Sequence, residues 1–115
     1  MQINTVFITV NVADHGHLID WWSKAIGRSF DRKPVPSCRE WQLLPGVLLQ
    51  IIEAVRPNGP VEVAILVEDV ETEIQRLNRE GIRLSNPVDV PGFAALKWSK
   101  VADPEGNTLN VLSGE

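Results

Sequence analysis

The sequence predicts an α+β fold made of two βαβββ modules, with the helices on the outer face of a concave mixed sheet cleft. Three observations predict it. Apolar residues alternate with period two in several runs of five to nine residues. Two stretches with helical spacing each follow an aspartate and end at a glycine. The order of these elements is repeated once along 115 residues, at an offset of 55 to 60.

The first strand is Val6 to Val12, where Val6, Ile8, Val10 and Val12 share one face. Asp14 caps the helix that follows. Leu18, Ile19, Trp22 and Ile26 recur at helical spacing, and Gly27 supplies the stop. Phe30 to Ser37 contains Pro34 and Pro36 and reads as an edge strand or a loop. Cys38 to Leu44 and Val47 to Val55 are strands joined by a Pro45-Gly46 turn. Arg56-Pro57-Asn58-Gly59-Pro60 reads as a linker, dividing a single domain into modules 1–56 and 61–115 around residues 57–60.

The second module repeats the plan. Val61, Val63, Ile65 and Val67 share a face, and Asp69 caps a helix carrying Val70, Ile74 and Leu77 that Gly81 ends. Ile82 to Val88 is a short strand region, Ala94 to Val101 a strand and Asn107 to Leu112 the last strand. Between the last two, Asp103-Pro104-Glu105-Gly106 has the residues of a type I turn followed by a left-handed glycine. Val6, Val10, Val12, Asp14, Ile19 and Trp22 correspond to Val61, Ile65, Val67, Asp69, Ile74 and Leu77; Gly46, Leu49 and Ile51 correspond to Gly106, Leu109 and Val111. A half of this size buries too little surface to stand alone, so the halves must pack on each other or on a second chain.

Composition narrows the function. The formal charge is −4, with 15 acidic against 11 basic residues, which disfavours nucleic acid as the main partner. Cys38 is the single cysteine, so no intrachain disulfide and no thiolate metal cluster can form, and a reducing cytoplasm is the simplest compartment. The first residues lack the basic and apolar regions of a signal peptide, and no apolar run is long enough to cross a bilayer, so no membrane partner is expected.

Each helix is expected to cover Val6, Ile8, Val10, Val47, Leu49 and Ile51 in the first half, and Val61, Val63, Ile65, Leu109 and Val111 in the second. The opposite faces carry mixed polar and apolar residues, as a ligand cleft requires. If Asp103 pairs with Asn107, Lys100 lies opposite Asn110 and Trp98 opposite Leu112. The equivalent register sets Glu40 opposite Gln50 and turns Trp41 to the helix side.

The closing motif, Val101-Ala102-Asp103-Pro104-Glu105-Gly106-Asn107, resembles the Asp-Pro-Asp/Glu-Gly-Asn turn of the vicinal oxygen chelate superfamily, which includes glyoxalase I, extradiol dioxygenases and bleomycin-resistance proteins. Val12-Ala13-Asp14, Ile19-Asp20-Trp21-Trp22 and Gly27 resemble the opening strand and helix of that superfamily. The resemblance implies paired βαβββ modules with a cleft between them, and a homodimer in many members. It also implies four metal-ligand positions, which here hold Phe7, Gln50, Glu62 and Asn110. These are not a His/Glu set. Two neutral amides and one carboxylate are poor ligands for zinc, nickel or iron(II), so neither a metal nor another cofactor is expected.

The candidate ligand-binding residues are therefore Phe7, Thr9, Glu40, Gln50, Glu62, Trp98, Lys100 and Asn110, with a planar aromatic or cationic small organic molecule as partner. Phe7 and Trp98 are candidates for stacking, or for plain packing. Glu62 is a candidate for a cationic ligand, or for the catalytic general base of a metal-independent isomerase or lyase. It can equally be an exposed residue paired with Lys100. A dimeric module without catalytic activity is a further alternative. Gln50 and Asn110 can orient a ligand or satisfy each other. His15 and His17, two residues apart in the first helical turn, diverge and are expected at a solvated helix start. Cys38 is expected to be an inert thiol.

Overall fold

The computed structural model describes residues 1–54 and 59–115; most of the linker expected at residues 56–60, and Val55, lie outside the described residues. The chain divides into two compact units, Met1–Val61 and Glu62–Glu115.

In the first unit, β1 (Val6–Val12) leads through α1 (His15–Ile26) to β2 (Cys38–Leu44) and β3 (Val47–Glu53). The sheet order is β1-β3-β2, with β1 parallel and β2 antiparallel to β3. Asp14 caps α1 by accepting from the His17 N–H, and Gly27 ends it in the left-handed conformation at φ 97°. Val10, Val12, Leu49 and Ile51 from the sheet are fully buried, as are Leu18 and Trp22 from the helix. This is the face assigned to the helix, except that Val6, at the strand start, is 49% exposed.

One open alternative is decided in this unit, and two details differ from expectation. Phe30 to Ser37 forms no named strand: one bridge, Arg32 with Glu40, is all that the prolines leave of a fourth strand. β3 ends at Glu53 and Ala54 lies outside it, while Val55, the expected strand end, lies outside the described residues. His15 is not solvated. It is 9% exposed, and its Nε2 lies 3.2 Å from the Ile51 carbonyl oxygen. His17 is exposed.

The second unit runs β4 (Glu62–Leu66), α2 (Val70–Arg79), β5 (Val88–Asp89), β6 (Lys97–Ala102) and β7 (Thr108–Ser113). Its sheet order is β4-β7-β6-β5, the first pair parallel and the others antiparallel. Asp69 caps α2 by accepting from Glu71 N–H and from the Thr72 hydroxyl; that hydroxyl bond, aided by the backbone N–H groups, holds its carboxyl below the usual range. Val63, Val70, Leu77, Leu109 and Val111 form the core. The strand expected over Ile82 to Val88 is reduced to β5. Pro87 brings no N–H, and Ile82 is spent on the helix end, its N–H donating to the Leu77 carbonyl. β6 begins at Lys97 rather than Ala94, although the Ala95 N–H still donates to the Glu115 carbonyl in the register of the Lys97–Ser113 pair.

The turn before β7 fixes the register of the site. Asp103 N–H donates to the Asn107 carbonyl at 2.7 Å. The buried Asp103 carboxylate accepts from Glu105 N–H, Asn107 N–H and Asn107 Nδ2, each at 2.9 Å. Gly106 takes φ 87°, as the left-handed position requires. Lys100 then lies opposite Asn110 and Trp98 opposite Leu112, as expected. Glu40 lies opposite Gln50 despite a bulge between Gln42 and Leu44. No helix of the described residues is long and apolar enough to cross a membrane.

Candidate functional site

The candidate residues fall into two sets, one on each sheet, on the face turned away from the helix. Strand alternation sets them there: Trp41 and Leu49 point into the core, so their neighbours Glu40 and Gln50 point the other way.

On the first sheet, Gln50 stands between two partners. Its Oε1 accepts from the Thr9 hydroxyl at 3.0 Å, and its Nε2 donates to Glu40 Oε2 at 2.5 Å. Glu40 is 2% exposed. A carboxylate this buried needs a counter-charge. Arg32 supplies it, with Nε at 2.8 Å and Nη2 at 2.7 Å from Glu40 Oε1. Phe7 is 50% exposed at the start of β1. Cys38, 4% exposed on the same side of β2, has its thiol pushed up by burial first and by the Glu40 charge second, which keeps it protonated and inert.

On the second sheet, Asn110 plays the part of Gln50. Its Oδ1 accepts from Trp98 Nε1 at 2.8 Å, and its Nδ2 donates to Glu62 Oε1 at 3.2 Å. Lys100 lays its ammonium over the Trp98 ring, 5.3 Å from the centroid. Glu62 and Lys100 are exposed, Trp98 half-buried and Asn110 buried. Each amide is thus satisfied by neighbours on its own sheet, and Glu62 pairs with Asn110 rather than with Lys100.

Sequence reasoning missed Arg32. The signal available was a cation between the helix stop and Pro34, in a segment bound to run beside Glu40. It also placed Trp41 and Trp22 in the core, where both are fully buried. Trp41 Nε1 donates to the Arg28 carbonyl at 3.0 Å, and its ring meets Phe30 edge-on. Arg28 pairs with Asp31, whose carboxyl is held low chiefly by the Gln42 N–H and then by this guanidinium.

The four positions to which the resemblance assigns a metal do not fit one in this chain. Phe7 has no ligand atom. The amide oxygens of Gln50 and Asn110 already accept from Thr9 and Trp98. Glu62 alone is anionic, and among the described residues no three His, Cys, Asp or Glu side chains gather as a metal-holding group.

Residues 7–112 match the family model described as a glyoxalase-like domain, and the chain belongs to that family. Its fold is that of a glyoxalase/bleomycin resistance protein from Catenulispora acidiphila: TM-score 0.84, 22% identity, covering 96% of this chain and 98% of that one. It is also that of the oxidase ChaP-H2 (TM-score 0.76, 17% identity, 100% and 96% covered). A lactoylglutathione lyase from Agrobacterium tumefaciens shares it too (TM-score 0.75, 14% identity, 95% and 92% covered). No curated protein matches the sequence. Three names so different on one fold mean that function must be argued from the side chains.

Proposed function

We propose that the protein is a metal-independent binding protein of the bleomycin-resistance type that sequesters a planar or cationic organic molecule. The observation that carries this reading is the chain Trp98–Asn110–Glu62. An indole is held in place by an amide, and the same amide fixes an exposed carboxylate beside it. The indole face suits a flat ring, worth about 0.5–1.5 kcal/mol beyond area burial, and the carboxylate suits a cation. Lys100 rests on the same face and must move aside or fold over the ligand. The Thr9–Gln50–Glu40 set, with the exposed Phe7, offers similar chemistry on the first sheet. The bleomycin resistance relative supports the reading by name, and the poor metal donor set supports it by chemistry.

Tryptophan fluorescence titrated with bleomycin and a series of flat aromatic cations tests it. Saturable quenching is expected in the wild type, weakened roughly tenfold by Trp98→Ala, a loss near 1.4 kcal/mol. Glu62→Gln is expected to weaken cations and spare neutral aromatics. Quenching by none of these compounds, or equal cation binding by Glu62→Gln, would contradict the proposal.

A further inference from the structure

We propose that the Glu40 carboxylate is a recognition point for a guanidinium or amidinium ligand, and that Arg32 is a built-in competitor which such a ligand displaces. The inference rests on the ligand-binding reading above and names the ligand class for the first sheet. Its starting point is an imbalance of exposure. Glu40 is 2% exposed, whereas the Arg32 side chain is 59% exposed. If the pair opened, water would rehydrate the guanidinium, but the carboxylate, held on the sheet by Gln50, would lose its counter-charge. Arg32 therefore leaves readily only when another cation takes its place, and that exchange leaves the buried charge balance unchanged.

The main chain permits the exchange. Asp31 N–H and Arg32 N–H both donate to the Glu40 carbonyl, and Glu40 N–H donates to the Arg32 carbonyl. The segment stays tied to β2 when the side chain swings out. Gln50 keeps its bond to Glu40 Oε2, so the carboxylate holds its orientation and presents Oε1. Two N–H groups of one planar fork meet that oxygen, a pattern an amidinium can reproduce and a single ammonium cannot.

The second unit argues that the ion pair is not needed to hold the architecture. Lys100 occupies the place equivalent to Glu40, sixty residues on, as Asn110 does for Gln50. There the neighbouring segment is tied by Ser85 N–H to the Lys100 carbonyl and by Lys100 N–H to the Ser85 hydroxyl, with no charged pair at that bridge. One backbone bond of the bridge is kept there and a serine hydroxyl takes the place of the other, without a buried carboxylate and its arginine.

A site occupied by its own competitor binds with an affinity reduced by the fraction of time it stands open. Calorimetric titration with benzamidinium measures this. Arg32→Ala is expected to bind benzamidinium about tenfold or more tightly than the wild type. Arg32→Lys, which keeps a charge but loses the fork and guards against an unfolded alanine variant, is expected to fall between. Arg32→Ala/Glu40→Gln is expected to lose the gain. In the wild type, the NMR signal of the Arg32 Nε–H, identified by its absence from Arg32→Lys, is expected to shift in step with benzamidinium occupancy. Equal affinity in the wild type and both Arg32 variants, an unmoved Arg32 signal while benzamidinium binds, or no binding to any form overturns the proposal. Continued quenching of Trp98 by other aromatic ligands would then leave the ligand-binding reading standing.

Discussion

Trp41→Ala is expected to destabilise the protein by about 3–5 kcal/mol, the usual range for emptying a fully buried indole site. Trp41 is 0% exposed on the helix side of β2, opposite Leu49, which is also 0% exposed. The indole does two things at once. It fills buried space on the helix side of the sheet, and its Nε1–H anchors the Arg28 carbonyl just past the helix stop. Phe30, edge-on to the ring at 6.1 Å, loses its support as well. Arg28 and Phe30 open the segment that carries Arg32, so the loss should reach Glu40. Urea unfolding followed by circular dichroism measures it: the midpoint should fall with little change of slope. Trp41→Phe should cost markedly less. A loss below about 1 kcal/mol for the alanine variant would mean that the sheet and helix close over the gap, contrary to a rigid core.

Asp103→Ala is expected to cost about 2–4 kcal/mol, since a buried donor left without an acceptor costs about 1–3 kcal/mol. Three N–H donors depend on this carboxylate. Asn107, 1% exposed, supplies two of them and has no access to water in exchange. The effect extends to function. The Asp103 turn sets the β6–β7 register, which places Trp98 within reach of Asn110 and so sets Glu62. Thermal unfolding should show the stability loss, and the Trp98 contribution to the emission spectrum should shift to the red as its Nε1–H bond loosens. Asp103→Asn keeps an acceptor for the two backbone N–H groups and should lose less. An Asp103→Ala variant as stable as the wild type would remove the turn from the account of the site.

The same turn shows why much of the fold was legible in the sequence. Asp, Pro and Gly each have one physical role at fixed places in the turn, so the hairpin register follows, and with it the pairing of Lys100 with Asn110. Period-two alternation then assigns faces without further information, which is how Glu40 and Gln50 came to share one. What escaped depends on reach rather than on period. Gln50 and Asn110 were equally compatible with bonding a ligand or one another. Only side-chain geometry shows that each bridges two neighbours on its own sheet. Arg32 meets Glu40 across an irregular, proline-bounded segment that carries no periodicity. His15 was within reach of sequence reasoning. It lies three and seven residues before Leu18 and Trp22, on the buried stripe of α1, so its spacing carries the signal that its polarity hides.

The proposed function gives the Trp98–Asn110–Glu62 and Thr9–Gln50–Glu40 sets one role: that their amides serve organic recognition, not ion coordination. The most direct measurement compares binding of the tightest aromatic cation to chelator-treated protein with binding in the presence of equimolar zinc or nickel. The account predicts the same affinity in both conditions and no stoichiometric uptake of either metal. Tight one-to-one metal uptake, with cation binding that vanishes on chelation, would contradict it.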